Sequence, residues 1–248
     1  MIKQKIIIIL KSLRIFPFVQ AAFIYFFSKR SRLAARYIRG QGLEIGALDT
    51  PLKVIPSKAS VMYIDRIGKS GLRKHYPELG SREFVDIGLI DNGETLTKIK
   101  SASQDFVIAN HFIEHCEDPI ATLFNHLRVL KKGGIIYWAV PNKHLTFDEK
   151  RAITSNRHLW LDHTRGVKFS RARHYKEFVK YALGYSGIMV REKTKELMTN
   201  KYSIHYHVWA PDSFYNFLYF AKEKLNMKFC IMDLIINLNE FIVILKKN

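Results

Sequence analysis

Cysteine is nearly missing: Cys116 and Cys230 are the only two, far apart and without metal-type spacing. That argues against a cysteine-ligated metal centre or a disulfide-built scaffold and fits a reducing, intracellular setting. Acidic residues are also scarce, with 22 Asp+Glu against 40 Lys+Arg and a formal net charge of +18. Such a balance attracts something anionic: nucleic acid, a membrane surface, or an acidic glycan or phosphorylated acceptor. Charge alone does not choose among them. No apolar run is long enough to cross a bilayer. The longest uncharged stretch, residues 15–27, is about 13 residues against the ~20 required. The apolar block after Lys5 is too short for a signal-peptide core and no small-residue cleavage site follows, so no leader is expected. Residues 1–37 read as an N-terminal apolar and basic helical extension, flanked by Lys29-Arg30-Ser31-Arg32. It packs on the domain or on a second copy of the chain, or it lies on an anionic membrane surface.

From about residue 40, short apolar strands alternate with helical patterns, which predicts an α/β fold with a Rossmann-like, mostly parallel sheet. The expected strands are 42–45, 61–65, 83–87, 106–110 and 135–140. A terminal pair, 228–236 and 240–246, is separated by so few residues that it must be an antiparallel hairpin. Residues 38–248 then make one domain. Between Pro141 and Met227 lie about 85 residues, more than a crossover needs, so an insertion at about 142–210 is a candidate lid or acceptor platform.

Glycine is missing where a dinucleotide fold needs it most. In "GLEIGALDTPL", residues 42–52, only Gly46 stands where pyrophosphate binding wants three glycines, and Glu44 would repel a phosphate. An acidic strand end suits a ligand with an ammonium group and no phosphate, such as S-adenosylmethionine. Asp65, ending "VMYID", is placed to accept the hydroxyls of a ribose. Asp91 and Asn92, in "DIGLIDNGETL", are placed to bond an adenine amino group or to form an ordinary turn.

"DFVIANHFIEHCEDP", residues 105–119, contains a literal H-x-x-E-H, the zinc-binding pattern of inverted metallopeptidases. Zinc ligation requires both histidines on one face of a regular helix. Here Asp118-Pro119 opens the helix, with apolar residues Ile120, Leu123, Phe124, Leu127 and Leu130 behind it. His111 to Cys116 therefore occupy the connection. No metal is expected there, His115 reads as packed under the helix, and Asn110 and His111 emerge at the ligand-binding edge of the sheet.

These pieces, followed by "RVLKKGG" and "IIYWAVPN", resemble the class I S-adenosylmethionine-dependent methyltransferases over residues 40–248. The resemblance implies a seven-stranded sheet with a C-terminal antiparallel hairpin and S-adenosyl-L-methionine as cofactor. It implies cofactor contacts from Glu44, Ile45, Gly46, Asp65, Arg66, Asp91, Asn92, Asn110 and His111. More narrowly, "HYPEL", "ANHFIEHCEDP" and "YHVWAPDSF" look like a bacterial subgroup associated with glycosyltransferases and surface-polysaccharide assembly. That likeness implies O-methylation of a sugar hydroxyl in a glycan or glycolipid acceptor, at the cytoplasmic face of the membrane. Lys132 stands where the family usually has proline.

A sugar hydroxyl has a high pKa and benefits from a base, and histidine suits that role. The candidates are His111, His144 and Asp148, with His158 and His163 further along the insertion. The Asn-Pro-Pro-Tyr type of motif used for amide or adenine nitrogens is replaced by Asn110-His111-Phe112-Ile113. Two other classes stay open. An RNA methyltransferase would account for the charge, with "RHYKEFVKY" as a stacking surface, although the same stretch reads as an amphipathic helix with Phe178 and Tyr181 inward. The other is a non-catalytic module that binds a glycosyltransferase or a membrane complex and retains a vestigial cleft.

Overall fold

The computed structural model describes residues 28–248; the apolar part of the expected N-terminal extension, residues 1–27, lies outside the described residues. The chain opens with helix α1 (Lys29–Tyr37) and runs into strand β1 (Gly40–Ile45). Strand β2 (Ala59–Asp65), helix α2 (Lys69–His75) and a short β3 (Leu89–Ile90) follow. Next come β4 (Gln104–Asn110), helix α3 (Pro119–Val129) and the long β5 (Leu130–Pro141). The sheet order is β3-β2-β1-β4-β5-β7-β6, where β6 (Phe229–Asn237) and β7 (Glu240–Lys247) form the hairpin. The first five strands pair in parallel, and β7 is antiparallel to both β5 and β6. This is the fold expected from the sequence.

The central strands β4, β5 and β7 are largely apolar because both of their faces are covered. In β4, Phe106 and Ile108 face one layer while Val107 and Ala109 face the other. In β7, Ile242 and Ile244 alternate in the same way with Phe241, Val243 and Leu245. Helix α1 closes the first layer with Leu33, Ala34 and Ile38. Two residues of the basic cluster are turned towards the protein: Lys29 donates to the Ile236 carbonyl, and Arg30 makes a bidentate pair with Glu240. The second layer holds α3 and α7 (Pro211–Glu223), whose Phe214, Phe217, Leu218 and Ala221 recur at helical spacing.

Three expectations are corrected. Residues 83–87 form no strand: Phe84 is buried, the Val85 amide bonds the Leu48 carbonyl, and the edge strand forms only at β3, opposite Ile64 and Asp65. Phe124 is exposed, since Ile120, Leu123 and Leu127 already fill the inner stripe of α3. Tyr181 is exposed because a π turn over Phe178–Ala182 rotates the register, so Val179 is buried beside Phe178 instead.

The stretch 142–210 carries α4 (Asn156–Arg165), α5 (Arg171–Glu177) and α6 (Ile188–Thr199) and ends in an extended segment with an isolated bridge between Asn142 and Trp209. Among the described residues, no helix is long and apolar enough to cross a membrane.

Candidate active-site cleft

A cavity of about 910 Å³ opens at the carboxyl ends of β1, β2 and β4, the edge where open α/β sheets bind ligands. The β1 end supplies Glu44, Ile45 and Gly46. Gly46 turns the chain at φ +66°, and a Cβ there would meet nothing nearer than the Phe112 ring at 3.9 Å. The glycine is required by its left-handed backbone rather than by crowding, and the space beside it belongs to the cleft.

The donor set fits a cationic, phosphate-free adenosyl compound. Glu44 accepts from the Leu52 amide through Oε1 at 2.8 Å, while its buried Oε2 has no partner. Burial pushes its pKa up to about 7, opposed by the Leu52 bond and the Arg30 charge. A buried carboxylate with a vacant oxygen is a receptor for an ammonium group. Asp65 ends β2 on the cavity wall; burial raises its pKa against the pull of the Arg66 and Ile67 amides. Arg66 lines the same wall, with its guanidinium 3.0 Å from His75. Asn110 accepts from the Ala139 amide through Oδ1 at 3.1 Å and leaves a buried, unpartnered Nδ2 in the cleft.

Asn92 lines the cavity, but Asp91 does not. Its carboxylate closes its own loop, taking bonds from the Asn92 amide, the Thr97 hydroxyl and the Lys98 amide. Glu94, one turn on, lines the cleft in its stead; burial and the Glu117 charge raise its pKa to about 7.

The two histidines of H-x-x-E-H diverge. His111, at φ +50°, reaches Glu240 Oε2 with Nε2 at 2.7 Å, and its Nδ1 lies 3.7 Å from Glu114. Burial lowers the His111 pKa, but the Glu240 bond and the two carboxylates outweigh it and the pKa rises. A histidine whose Nε2 is engaged by Glu240 and whose cationic form the carboxylates favour is poorly suited to removing a proton. His115 instead bonds the Ile204 carbonyl with Nδ1 at 2.9 Å, and desolvation takes its pKa down to about 3.

Asp148 is buried behind the cleft wall, where Oδ1 takes Arg151 at 2.9 Å and Oδ2 takes His205 Nδ1 at 2.6 Å. Burial favours its neutral form, yet the His205 and Arg151 bonds prevail and hold it below the usual carboxylate range. His205 lines the cavity between Phe147 and His115, and its Nε2 is bonded to no described residue. Glu114 is close by, with both carboxylate oxygens buried and unpartnered. The remaining sequence candidates are elsewhere: His144 is exposed outside the cavity lining, His163 bonds Asp118 at 2.9 Å, and His158 faces Asp162 and His174. Sequence reading missed His205. Its partner is 57 positions away, and the only local sign was a second histidine two residues later.

A family model described as "Methyltransferase domain" matches residues 34–184. No curated protein matches the sequence. A Rhodobacter sphaeroides structure given as a Zn-dependent alcohol dehydrogenase has 13% identity and a TM-score of 0.52, covering 89% of each chain, a likeness of fold alone. A SAM-dependent methyltransferase from Aquifex aeolicus has 10% identity and a TM-score of 0.49, covering 91% of this chain and 93% of that one. One from Methanosarcina mazei has 13% identity and a TM-score of 0.43, covering 87% and 95%.

Proposed function

The chain belongs to the methyltransferase-domain family, with S-adenosylmethionine as methyl donor, and from that premise we propose that it methylates a sugar hydroxyl in a cell-surface glycan or glycolipid precursor, with His205 as the base. The observation that carries this reading is the His205 Nδ1–Asp148 Oδ2 pair at 2.6 Å on the cleft wall. When bound, the cofactor supplies a methyl group already activated on a sulfonium. Glu44, Asp65, Asn92 and Asn110 would hold its ammonium, ribose and adenine groups. The remaining demand is on position and on a proton.

Asp148 would keep the His205 Nδ1–H engaged, so that Nε2, bonded to no described residue of the cleft wall, carries the lone pair. As the new oxygen–carbon bond forms and the methyl–sulfur bond breaks, leaving a neutral thioether, that nitrogen would take the hydroxyl proton, and ionised Asp148 would stabilise the imidazolium. Phe147 and Phe178 on the same wall exclude water and offer flat apolar surface to a sugar ring. Asn200, Tyr202 and Ser203 supply polar groups for its other hydroxyls. The net charge of +18 favours an acceptor carrying phosphate or carboxylate.

The test is radiolabelled methyl transfer into cell-envelope glycolipid and, in parallel, into total RNA, with Asp65→Ala as the cofactor-site control. Label in the glycolipid that disappears in Asp65→Ala supports the reading. Label confined to RNA replaces it with the nucleic-acid alternative.

A further inference from the structure

Apart from the cleft, the insertion contains a second cluster of ionisable side chains that methyl transfer does not use. His158 and Asp162 lie one turn apart on α4, His174 comes from α5, and His207 comes from the extended segment that also carries His205. His158 Nε2 and His174 Nε2 are 3.0 and 3.1 Å from Asp162 Oδ2 and 3.2 Å from each other. His207 Nε2 lies 3.9 Å from the same oxygen and donates to the Glu117 carbonyl at 3.3 Å, a hydrogen bond that a bound cation would have to replace, while its buried Nδ1 has no partner. Asp162 and His207 are fully buried and His174 nearly so.

Protons alone serve this arrangement badly. Two ring nitrogens crowd one carboxylate oxygen in a near-equilateral triangle, while the buried Oδ1 of the same carboxylate has no hydrogen-bond partner. Two donors on one oxygen are within its capacity, but they leave the buried Oδ1 without a hydrogen-bond partner. A cation bound through one oxygen is compatible with the same crowding of Oδ2. Metal–ligand bonds of about 2.0–2.1 Å at tetrahedral angles place ligand atoms about 3.3 Å apart, close to the three sides of the triangle. Ser170, buried beside Asp162, is placed to donate to the ligating carboxylate as an outer partner. The Arg173 contact to His158 Nδ1, at 3.4 Å, is too long to commit the ring to a tautomer that would block ligation.

We propose that His158, Asp162, His174 and His207 form a closed, four-coordinate zinc site that fastens the insertion to the segment carrying His205. Three imidazoles and one carboxylate suit a borderline cation without geometric preference, and four protein ligands leave no open position, which makes the site structural. The ligands come from α4, α5 and the 203–209 segment, so the ion joins three stretches that otherwise meet through side-chain packing. His207 is two residues from His205, and the ion thereby fixes the backbone that presents the base. The cysteine-poor sequence does not argue against such a site, because its ligands are spread over 50 positions with no compact motif.

The full chain, purified from zinc-supplemented cells and dialysed against buffer, should contain about one zinc per chain by elemental analysis. Chelator should lower its melting midpoint by roughly 5 °C or more, and zinc should restore it. Replacement by cobalt(II) should give the intense visible absorption of four-coordinate cobalt. Asp162→Asn preserves shape and hydrogen bonding, and it should reduce the zinc content to near zero. Glu114→Gln, in the cleft cluster that also contains His115 and His205, should leave the zinc content unchanged. If His207→Ala fails to fold, Asp162→Asn and the wild-type content still decide. Less than about 0.1 zinc per chain with no response of the midpoint to chelator overturns the proposal. So does zinc that survives Asp162→Asn or is lost in Glu114→Gln.

Discussion

On the proposed cofactor site, Glu44 is the residue whose protonation binding must change. Buried and with a pKa of about 7, it is largely neutral in mildly acidic buffer, and a bound ammonium group demands its charged form. Cofactor affinity should therefore rise by up to roughly tenfold per pH unit below 7 and level off above. Calorimetry across this range should detect proton release on binding. Glu44→Gln should flatten the profile, and Glu94→Gln serves as the control for the second cleft carboxylate that titrates near 7. The effect on folding has the opposite sign. The folded pKa lies above the ordinary 4.5, so the native state holds the extra proton and stability falls as pH rises from 4.5 through about 7. His205 is judged by a different pair of measurements. His205→Ala should lower kcat by roughly 10² to 10⁴ while leaving the cofactor dissociation constant unchanged, and Asp148→Asn should lower kcat in the same direction. A His205→Ala enzyme of undiminished kcat would remove the base from the mechanism. His111→Ala should change stability more than kcat, since it breaks a contact to Glu240 that Arg30 also makes.

Strand β1 packs against β4 so closely that Gly42 has no room for a side chain. A Cβ there would meet the Phe106 carbonyl oxygen at 2.3 Å and the Phe106 ring at 2.5 Å. Gly42→Ala should cost roughly 1–3 kcal/mol, read as a lower urea midpoint with an unchanged slope. The central strands were legible because continuous apolar runs bounded by turn residues have few other uses in a chain of this pattern. The start of α3 was legible for a local reason too: Asp118 caps it by accepting from the Ala121 amide at 2.9 Å, and Pro119 fills the first helical position. The third strand was not. Phe84 gives residues 83–87 the look of a strand, but its ring is drawn into the core and the ladder forms two residues after that run ends. The π turn at Phe178–Ala182 was also invisible, since one extra residue in a turn changes which side chain points inward without changing composition.

At the scale of the whole molecule, the two halves of the cleft differ in how sequence encodes them. Each group proposed to hold the cofactor ends a strand or follows it closely, so chain order alone lines up Glu44, Asp65, Asn92 and Asn110. The half proposed to face the acceptor brings Glu114, Asp148 and His205 together from separate stretches, and only the folded insertion unites them. The charge of +18 is legible from composition, but its distribution is not. Lys29 and Arg30, which looked available to a membrane, are bonded to Ile236 and Glu240, whereas Arg32 on the same helix is exposed and has no ion pair among the described residues. Attraction to an anionic surface would then depend on residues such as Arg32. Full-length protein should co-float with vesicles containing anionic lipid and stay soluble with neutral ones. The bound fraction should fall several-fold between about 0.05 and 0.3 M salt, as the screening length shrinks below the spacing of surface charges. Arg32→Glu should weaken binding several-fold without altering the melting midpoint, and Arg30→Ala should lower the midpoint because it leaves Glu240 without its main cation. Equal soluble fractions with anionic and neutral vesicles would show that the positive field serves a soluble anionic acceptor instead of a membrane.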